Sequence, residues 1–533
     1  MFRLFCLVAF IAINPLLINA QAPVVIGKPY GVIDAKEKIY FAKNGQILAV
    51  KVDKREVTIQ KLNAIELSQI KITTYDDFPK GFQIESIIEF GDRYYVFYSL
   101  YEDEQEKLIC REIDFDNGAF KDKGNVVITV DQKITGTLVK SGFSAHVEDK
   151  FDFFFSYDRS SMVIQYRVKP IKRNDDKSYD VIGMHVYGKD LKQKWGNKIT
   201  MPYTEKKMDN LDYAVDSKGN VYIVTRVYND DSTDKKKRGE EKANYHLEIL
   251  KIIPDAKETT PISLEVDERL LTTIWMYENS KGEMVCVGYY SKNKKMENTD
   301  GLVSFKLTTD GKITAQRFYE IPLEVLNQFV SDREARKNAR KEEDGEAEFK
   351  ALQLNRVETL ADGSMLVVGE QKYTITYYTT SQGMTRAQTT YHLDNLLVAK
   401  VSANGELAWM KKIPKKQTSS NPSGFKNLAY RYFLGTQNHY ILFLDNAKNE
   451  KLLPNEKPVS HVDGQGGFMT IYQINDKTGE LNRKSLLDTR DVMGMELYQV
   501  APYRVLATEP NRLVFEAYKK GKEDILVKVE LDK

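Results

Sequence analysis

Apolar and polar residues alternate along short segments of this chain, and polar turns that contain glycine separate the segments. Tyr213–Thr225 reads YAVDSKGNVYIVT, Met276–Tyr289 reads MYENSKGEMVCVGY, and Val357–Glu370 reads VETLADGSMLVVGE. Period-two alternation over a few residues is typical of half-buried strands, and a short gap with Gly is typical of a hairpin turn. The pattern therefore predicts strands joined by hairpins.

These segments recur with a period of roughly sixty residues, which is typical of a radial or stacked β-repeat. We predict an all-β protein, a β-propeller of about eight four-stranded antiparallel blades, with strands A to D in each blade. Seven blades would follow if the last unit merged with the first, and an open solenoid is the runner-up, although its repeats are usually shorter. The predicted units are about Tyr30–Asn63, Phe82–Val130, Gly142–Met201, Leu211–Val266, Ile274–Pro322, Asn355–Pro414, Tyr430–Leu487 and Val500–Leu531.

The last unit shows only three strands, so its fourth strand must come from elsewhere. Pro23–Ile26 is apolar and suits that place, where it would add to the sheet and close the ring, which protects edge strands. In the third unit, the segment FDFFFSY at 151–157 is almost continuously apolar. It is predicted to be an inner strand that is buried on both faces.

Loop lengths predict two different faces for the propeller. Successive antiparallel strands reverse direction, so A–B and C–D turns share one face and B–C and D–A connections share the other. The A–B and C–D turns are short, for example at 216–220, 361–364 and 402–406. Loops on a rigid scaffold commonly carry binding residues, so we expect the site on the opposite, decorated face. The long connections there are Ser156–Tyr179, Asp230–Asn244, Tyr373–Asp394, Asn446–Gly467 and Leu323–Lys350.

The insertion between units five and six, residues 323–352, is the one helical candidate. It begins LEVLNQFVSDREARKN and continues with charges at three- and four-residue spacing. Such a segment is either a solvated helix that caps the disc or an arm that binds a partner.

Composition and the first residues bear on location and partners. The chain has 78 Lys and Arg against 76 Asp and Glu, and this balance argues against nucleic acid or an anionic membrane as a partner bound through bulk charge. Residues 1–20 resemble a signal peptide, with Arg3, an apolar run at Leu4–Ile13 and a cleavage motif that ends at Ala20. We therefore predict a single propeller domain at 21–533, secreted or periplasmic in a Gram-negative envelope, with no later transmembrane segment. Cys110 and Cys286 are expected to be buried free thiols.

No catalytic motif stands out in the sequence. The six histidines have no metal-ligand partner at the spacing of a motif, and no G-x-S-x-G, H-E-x-x-H, C-x-x-C or phosphate-loop pattern occurs. Acidic pairs lie mostly in Lys-rich loops, where carboxylates keep ordinary pKa values. A glycoside-type hydrolase would draw two carboxylates from separate blades near the central channel, and sequence spacing does not test that alternative.

We predict no cofactor, with a structural calcium ion as the open alternative at turns such as Asn475–Glu480. Its sequence, NDKTGE, supplies oxygen ligands, but Gly and Asn serve hairpin geometry equally well.

The segment Gly405–Trp409 resembles the turn-to-tryptophan element of quinoprotein-like propellers, which would imply an oxidoreductase. The simpler interpretation is that Trp409 packs between blades.

The B–C hairpin of unit six carries the candidate binding residues. Its sequence, YTITYYTTSQGMTRAQTTYHLDN, alternates Thr and Tyr on both arms, which stabilises a ribbon that leaves its sheet. Both faces carry few charges, so at least one is expected to contact a neighbouring loop or a partner. The candidates are Tyr373, Tyr377, Tyr378, Tyr391 and His392.

Three stretches, GELAWMKKIPKKQ, LFLDNAKNEK and EIPLEVLNQF, resemble segments of secreted, uncharacterised bacterial propeller-like proteins. The resemblance implies the fold and export, and it implies no activity. The first functional hypothesis is a non-enzymatic propeller that binds a protein or glycan through its B–C and D–A loops. An envelope hydrolase with a channel site is the second, and a quinoprotein-like oxidoreductase is the third.

Overall fold

The computed structural model describes residues 24–141, 144–170, 177–232, 243–264, 269–292, 298–308, 311–344, 346–381, 384–420, 428–462 and 466–531. Within them the chain forms an eight-bladed β-propeller of antiparallel sheets, which confirms the predicted fold. The predicted signal peptide lies outside the described residues.

Blades one and two have the predicted hairpin order, but blade one runs from Glu37 to Tyr75 and not from about Tyr30 to Asn63, because Tyr30–Gly31 pairs with blade eight. The strands of blade one are Glu37–Lys43, Gln46–Asp53, Glu56–Asn63 and Ser68–Tyr75. Blade two has Gln83–Phe90, Arg93–Glu102 and Gln105–Asp114, and its outer strand is split into Ala119–Phe120 and Asn125–Val130. A separate hairpin follows, formed by Thr137–Ser141 and Ser144–Glu148.

Blade three corrects the predicted strand order. Its strands are Asp152–Phe155, Ser161–Arg167, Tyr179–Gly188 and Gln193–Thr204. Ser156 opens the A–B turn, where its hydroxyl donates to Asp158 (2.8 Å), so the B–C connection is 168–178 and not Ser156–Tyr179. Residues 171–176 of that connection, which hold most of KRNDDK, lie outside the described residues.

The predicted double burial of 151–157 is also wrong. Asp152 is exposed and Phe153, Phe154 and Phe155 are half-buried, because an innermost strand has a sheet neighbour on one side only and borders the central axis on the other.

Blade four has the strands Met208–Val215, Val221–Tyr228, Tyr245–Ile252 and Thr260–Leu264.

Blades five and six flank the helical insertion. Blade five has Leu270–Glu278, Met284–Ser291, Gly301–Leu307 and Ile313–Glu320. The insertion forms helix α1 (Leu323–Leu326) and helix α2 (Asp332–Glu343), and Phe349–Lys350 then pairs with Asn298–Thr299. Blade six has Leu352–Thr359, Met365–Ser381, Met384–Val401 and Leu407–Ile413, with Gln417–Ser419 and His461–Val462 added at one edge.

Blades seven and eight complete the ring. Blade seven has Arg431–Leu434, Asn438–Asp445, Phe468–Asn475 and Leu481–Asp488, with a 3-10 helix at Ala447–Lys451. In blade eight, Leu497–Gln499 and Val505–Glu509 precede Arg512–Lys519 and Glu523–Glu530, with a 3-10 helix at Pro502–Arg504. Val24–Ile26 and Tyr30–Gly31 pair with Glu523–Glu530, so the predicted closure by the N-terminal segment is confirmed.

The core consists of eight hydrophobic clusters, each shared by two neighbouring blades. This arrangement explains why strands B and C are apolar on both faces, since each central strand packs against a blade on either side. Cys110 and Cys286 are free and buried in two of these clusters, as predicted.

Two tryptophans on outer strands, Trp409 and Trp195, form hydrogen bonds to the next blade. Trp409 is 6% exposed, and its Nε1 donates to the Asp476 carbonyl of blade seven (3.0 Å) while its ring lies against Gly479. Trp195 of blade three repeats the contact, with its Nε1 donating to the Gly219 carbonyl of blade four (2.8 Å). The interpretation of Trp409 as an inter-blade residue is therefore confirmed.

Candidate functional site

A two-stranded ribbon projects from blade six on the decorated face. Strands B and C of this blade are 17 and 18 residues long, about twice the length of most others. Thr374–Ser381 pairs in register with Met384–Tyr391, and beyond Tyr391, which also pairs with Ser419, the arms pair only with each other among the described residues. We call 374–381 with 384–391 the ribbon. At about 3.3 Å per residue each arm extends roughly 25 Å.

Tyr373 and His392 meet at the root of the ribbon. Their rings are parallel, with centroids 4.5 Å apart and an interplanar angle of 4°, and the Tyr373 hydroxyl donates to Asp394 Oδ2 at 2.7 Å. Burial and the Asp394 carboxylate raise the pKa of the Tyr373 hydroxyl. Both ring nitrogens of His392 are buried and make no hydrogen bond to a described residue. These two predicted residues therefore fix the geometry of the root.

A buried ion pair anchors the root to the disc. Lys415 and Glu370 are 0% and 1% exposed at the side chain, and Lys415 Nζ lies 2.8 Å from Glu370 Oε1. Lys415 also donates to the Leu393 carbonyl (2.9 Å), which joins the pair to the strand that carries His392. Burial lowers the pKa of Lys415, and the Glu370 carboxylate opposes that shift.

The remaining predicted residues lie further out. Tyr377 and Tyr378 are 58% and 73% exposed, and as strand neighbours they lie on opposite sides of the ribbon. Tyr391 is half-buried where the ribbon leaves the sheet. The structure thus brings Tyr373 and His392 together and leaves Tyr377 and Tyr378 as separate exposed aromatic surfaces. The tip, 382–383, lies outside the described residues.

A groove next to the root was not predicted from the sequence. It is a cavity of about 980 Å³ with helix α2 as one wall and Gln371 and Asn395, both next to the root, among its other lining residues. Asn395 donates to Gln371 Oε1 and Gln371 donates to the Lys350 carbonyl, both at 2.9 Å, so the amides are held in place. The groove joins residues of the insertion, blade six and the long blade-seven loop, which no local pattern links.

Two lysines that line the groove lie next to carboxylates. Lys457 pairs with Glu334 of helix α2, and Lys341 lies 4.0 Å from Glu348. Lys412 is 4% exposed, donates to the Leu326 carbonyl (3.0 Å) and lies over the Phe349 ring. Burial lowers the pKa of Lys412 to about 8.

Carboxylates of the innermost strands bind backbone amides of adjacent blades. Glu85 accepts from the Lys150 and Phe151 N–H groups, and Asp212 accepts from the Met276 N–H at 2.6 Å. Burial raises the pKa of Asp212 to about 7. Glu85 and Asp212 therefore connect neighbouring blades. The hydrolase hypothesis would need carboxylates near the channel for acid–base chemistry, and these two have a structural role.

Glu278 has the same role on the opposite face. It is 5% exposed, and its carboxylate accepts from the Ser217 N–H and hydroxyl and from the Tyr157 N–H. It thereby links the A–B turns of blades three and four to blade five.

The turn at Asn475–Glu480 uses its oxygens for its own geometry. Asn475 Oδ1 accepts from the N–H groups of Lys477 and Thr478, and Asp476 pairs with Lys400 and His439. Across the part of the chain that the structure describes, no group of three His, Cys, Asp or Glu side chains is placed to hold a metal ion.

A second buried polar cluster lies at the seam between blades eight and one. Lys51 Nζ lies 2.7 Å from Glu516 Oε1 and 3.6 Å from Asp524 Oδ2, with all three side chains 0% exposed. Tyr40 donates to Glu516 Oε2 at 2.5 Å. Burial and the Glu516 charge raise the pKa of Asp524 to about 6. No local pattern predicts this cluster, because Lys51 and Glu516 are 465 residues apart in the chain.

No protein-family model and no curated protein matches the chain. Among solved structures it is similar to polysaccharide lyase Uly1, with 10% identity, a TM-score of 0.35 and 94% of this chain aligned to 92% of that one. A post-proline cleaving enzyme from Rickettsia typhi gives 12% identity and a TM-score of 0.36, with 92% of this chain and 58% of that chain covered. A protein of unknown function from Dyadobacter fermentans gives 9% identity and a TM-score of 0.32, with 96% and 99% covered.

Helix α2, with 12 residues, is the longer of the two described α-helices. Among the described residues, no helix has the length and apolar character needed to cross a membrane.

Proposed function

We propose that this protein is an exported interaction propeller that binds a glycan or protein partner on its decorated face. The ribbon of blade six is the contact element. The observation that carries the proposal is the exposure of Tyr377 (58%) and Tyr378 (73%) on a ribbon held rigidly at its root.

Exposed tyrosines on a rigid element suit recognition for a physical reason. A Tyr ring offers a large apolar face and a hydroxyl, and it loses little conformational entropy on binding because it has two rotatable side-chain bonds. The disc does not need this ribbon for its own core, since Tyr377 and Tyr378 belong to none of the eight inter-blade clusters. The apolar surface of Tyr377 and Tyr378 is therefore available to be buried against a partner, where it would contribute to the free energy of binding.

The test compares the variant Tyr377→Ala/Tyr378→Ala with Tyr157→Ala on an array of defined glycans and peptides. Tyr157 is 40% exposed in the A–B turn of blade three, on the opposite face, and is a matched control. We expect the ribbon variant to lose about tenfold or more in affinity for each ligand that the wild type binds, and the control to retain it. Equal binding of wild type and ribbon variant to every ligand found would remove the ribbon from the site.

Export is part of the same proposal, because the predicted signal peptide would bring the decorated face to partners outside the cytoplasm. N-terminal sequencing of the protein isolated from cells tests it. A mature N-terminus at Gln21 supports export, and retention of residues 1–20 contradicts it.

A further inference from the structure

We infer that the groove between helix α2 and the ribbon root binds a carboxylate-bearing polysaccharide. The inference deepens and rests on the proposed function, because it assigns a chemistry to a partner bound on the decorated face. Eight cationic side chains and three carboxylates line the groove, an excess of five positive charges in one cavity of a chain whose formal net charge is only +2.

Four of these cations form a stripe on helix α2. Arg333, Arg336, Lys337 and Arg340 follow the i, i+3, i+4, i+7 spacing that places residues on one side of a helix. At 1.5 Å per residue, the stripe is about 10 Å long. All four are exposed and line the groove, and none forms an ion pair with a residue that the structure describes. They are therefore available to a ligand, and arginine binds carboxylates with two parallel hydrogen bonds.

Lys412 of blade six provides an independent observation in the same groove. Its side chain is buried and lines the groove, yet its nearest partners are a carbonyl oxygen and the Phe349 ring. Burial of a cation without a paired carboxylate is costly and is compensated when an anion arrives. A ligand carboxylate within reach of Lys412 would supply that compensation.

The neutral residues of the groove favour a polysaccharide over an acidic peptide. Three amides, Asn338, Gln371 and Asn395, lie among the cations, and an amide donates and accepts hydrogen bonds as a sugar hydroxyl does. Only Leu326, Val330 and Phe349 are apolar among the lining residues, whereas a peptide-binding groove typically provides pockets for hydrophobic anchors. The volume of about 980 Å³ suits a short segment of such a polymer.

Titration with polygalacturonate, with neutral dextran and poly-L-glutamate as comparison probes, tests the inference. The test variant is Arg333→Gln/Arg336→Gln/Lys337→Gln/Arg340→Gln. The control is Lys218→Gln/Lys257→Gln/Lys281→Gln/Lys477→Gln, which removes the same charge from exposed turns of the opposite face. We expect polygalacturonate to bind, to bind more weakly as salt rises, and to lose about tenfold or more in affinity in the test variant only.

Three results would overturn the inference. The first is that polygalacturonate does not bind. The second is an equal loss of affinity in both variants, which would indicate binding through bulk charge. The third is tighter binding of poly-L-glutamate than of polygalacturonate, which would indicate a peptide site. Matching melting temperatures of the two variants and the wild type show that folding is intact. If Tyr377→Ala/Tyr378→Ala abolishes binding of an array ligand that the four-residue variant retains, the proposed function stands and the groove inference fails.

Discussion

Val24 pairs with Val529, and Ile26 pairs with Val527, so the first described strand completes the sheet formed by the last residues of the chain. The side chains of Val24 and Ile26 pack on the hydrophobic cluster between blades seven and eight. Ring closure thus depends on two short strands, Val24–Ile26 and Tyr30–Gly31, which both pair with Glu523–Glu530. The added strand covers the edge of Glu523–Glu530, which would otherwise be free.

The variant Val24→Ala/Ile26→Ala is expected to lower the free energy of unfolding by about 2 kcal/mol, because it removes half-buried methyl groups from that cluster. Val25→Ala is the matched control, since Val25 is 42% exposed and should change stability little. Urea unfolding followed by tryptophan fluorescence measures both. An equal loss in the control would show that closure does not depend on these side chains.

Lys415→Met should be strongly destabilising because it leaves Glu370 buried without its closest cation. We expect a loss of about 3–5 kcal/mol. Glu370→Gln/Lys415→Met should recover most of that loss, since no buried charge then remains unpaired. A double-mutant cycle from unfolding curves measures the coupling, and a coupling near zero would contradict the assigned ion pair.

Trp409→Phe and Trp195→Phe should each cost about 1 kcal/mol, because each removes one inter-blade hydrogen bond while retaining a large ring. The two sites belong to different blade interfaces, so the double variant should show the sum of the two losses. Thermal unfolding of the three variants measures this. A loss in the double variant far above the sum would indicate that the blades unfold together from either site.

Asp212→Asn should change how stability depends on pH. Burial raises the pKa of Asp212 from 3.8 to about 7, so the folded protein binds this proton more tightly than the unfolded chain. The stability gained from the proton is therefore present at low pH and is lost as the pH rises through about 7. An asparagine at position 212 does not titrate, so the variant does not lose this stability as the pH rises. Its side-chain oxygen can still accept the hydrogen bond from the Met276 N–H.

Between pH 5 and pH 8, the free energy of unfolding of the Asp212→Asn variant should therefore rise relative to wild type by roughly 2–3 kcal/mol. Urea unfolding at several pH values measures the difference. Asp34→Asn, a change at an exposed carboxylate, is the control and should give a constant difference. A constant difference for Asp212→Asn as well would show that this carboxylate stays ionised in the folded protein.

The alternation of apolar and polar residues and the residue types of the turns were enough to predict the fold, because both are local features of the sequence. The closure by Val24–Ile26 was also predictable, since a three-stranded last unit required a donor. Blade three was assigned wrongly because the apolar run at 151–157 hides a turn that the hydroxyl of Ser156 stabilises. Periodicity does not detect a turn inside an apolar segment.

The site was predictable only in part. The ribbon residues were found from the Thr and Tyr alternation, and the structure shows that Tyr373 and His392 stack at the root. The groove was not found, because Lys412, Asn395 and Lys457 meet helix α2 only after three separate segments fold together. Spatial clusters of this kind leave no local spacing in the sequence.

The arms of the ribbon continue the two central strands of blade six, and the pairing register between these strands shifts once, between Glu370 and Lys372. A β-bulge of this kind bends its strand and increases the local twist, so it changes the direction of the residues that follow. The bulge at the root therefore sets the angle at which the ribbon leaves the disc, and a partner bound to the ribbon would be oriented by that angle.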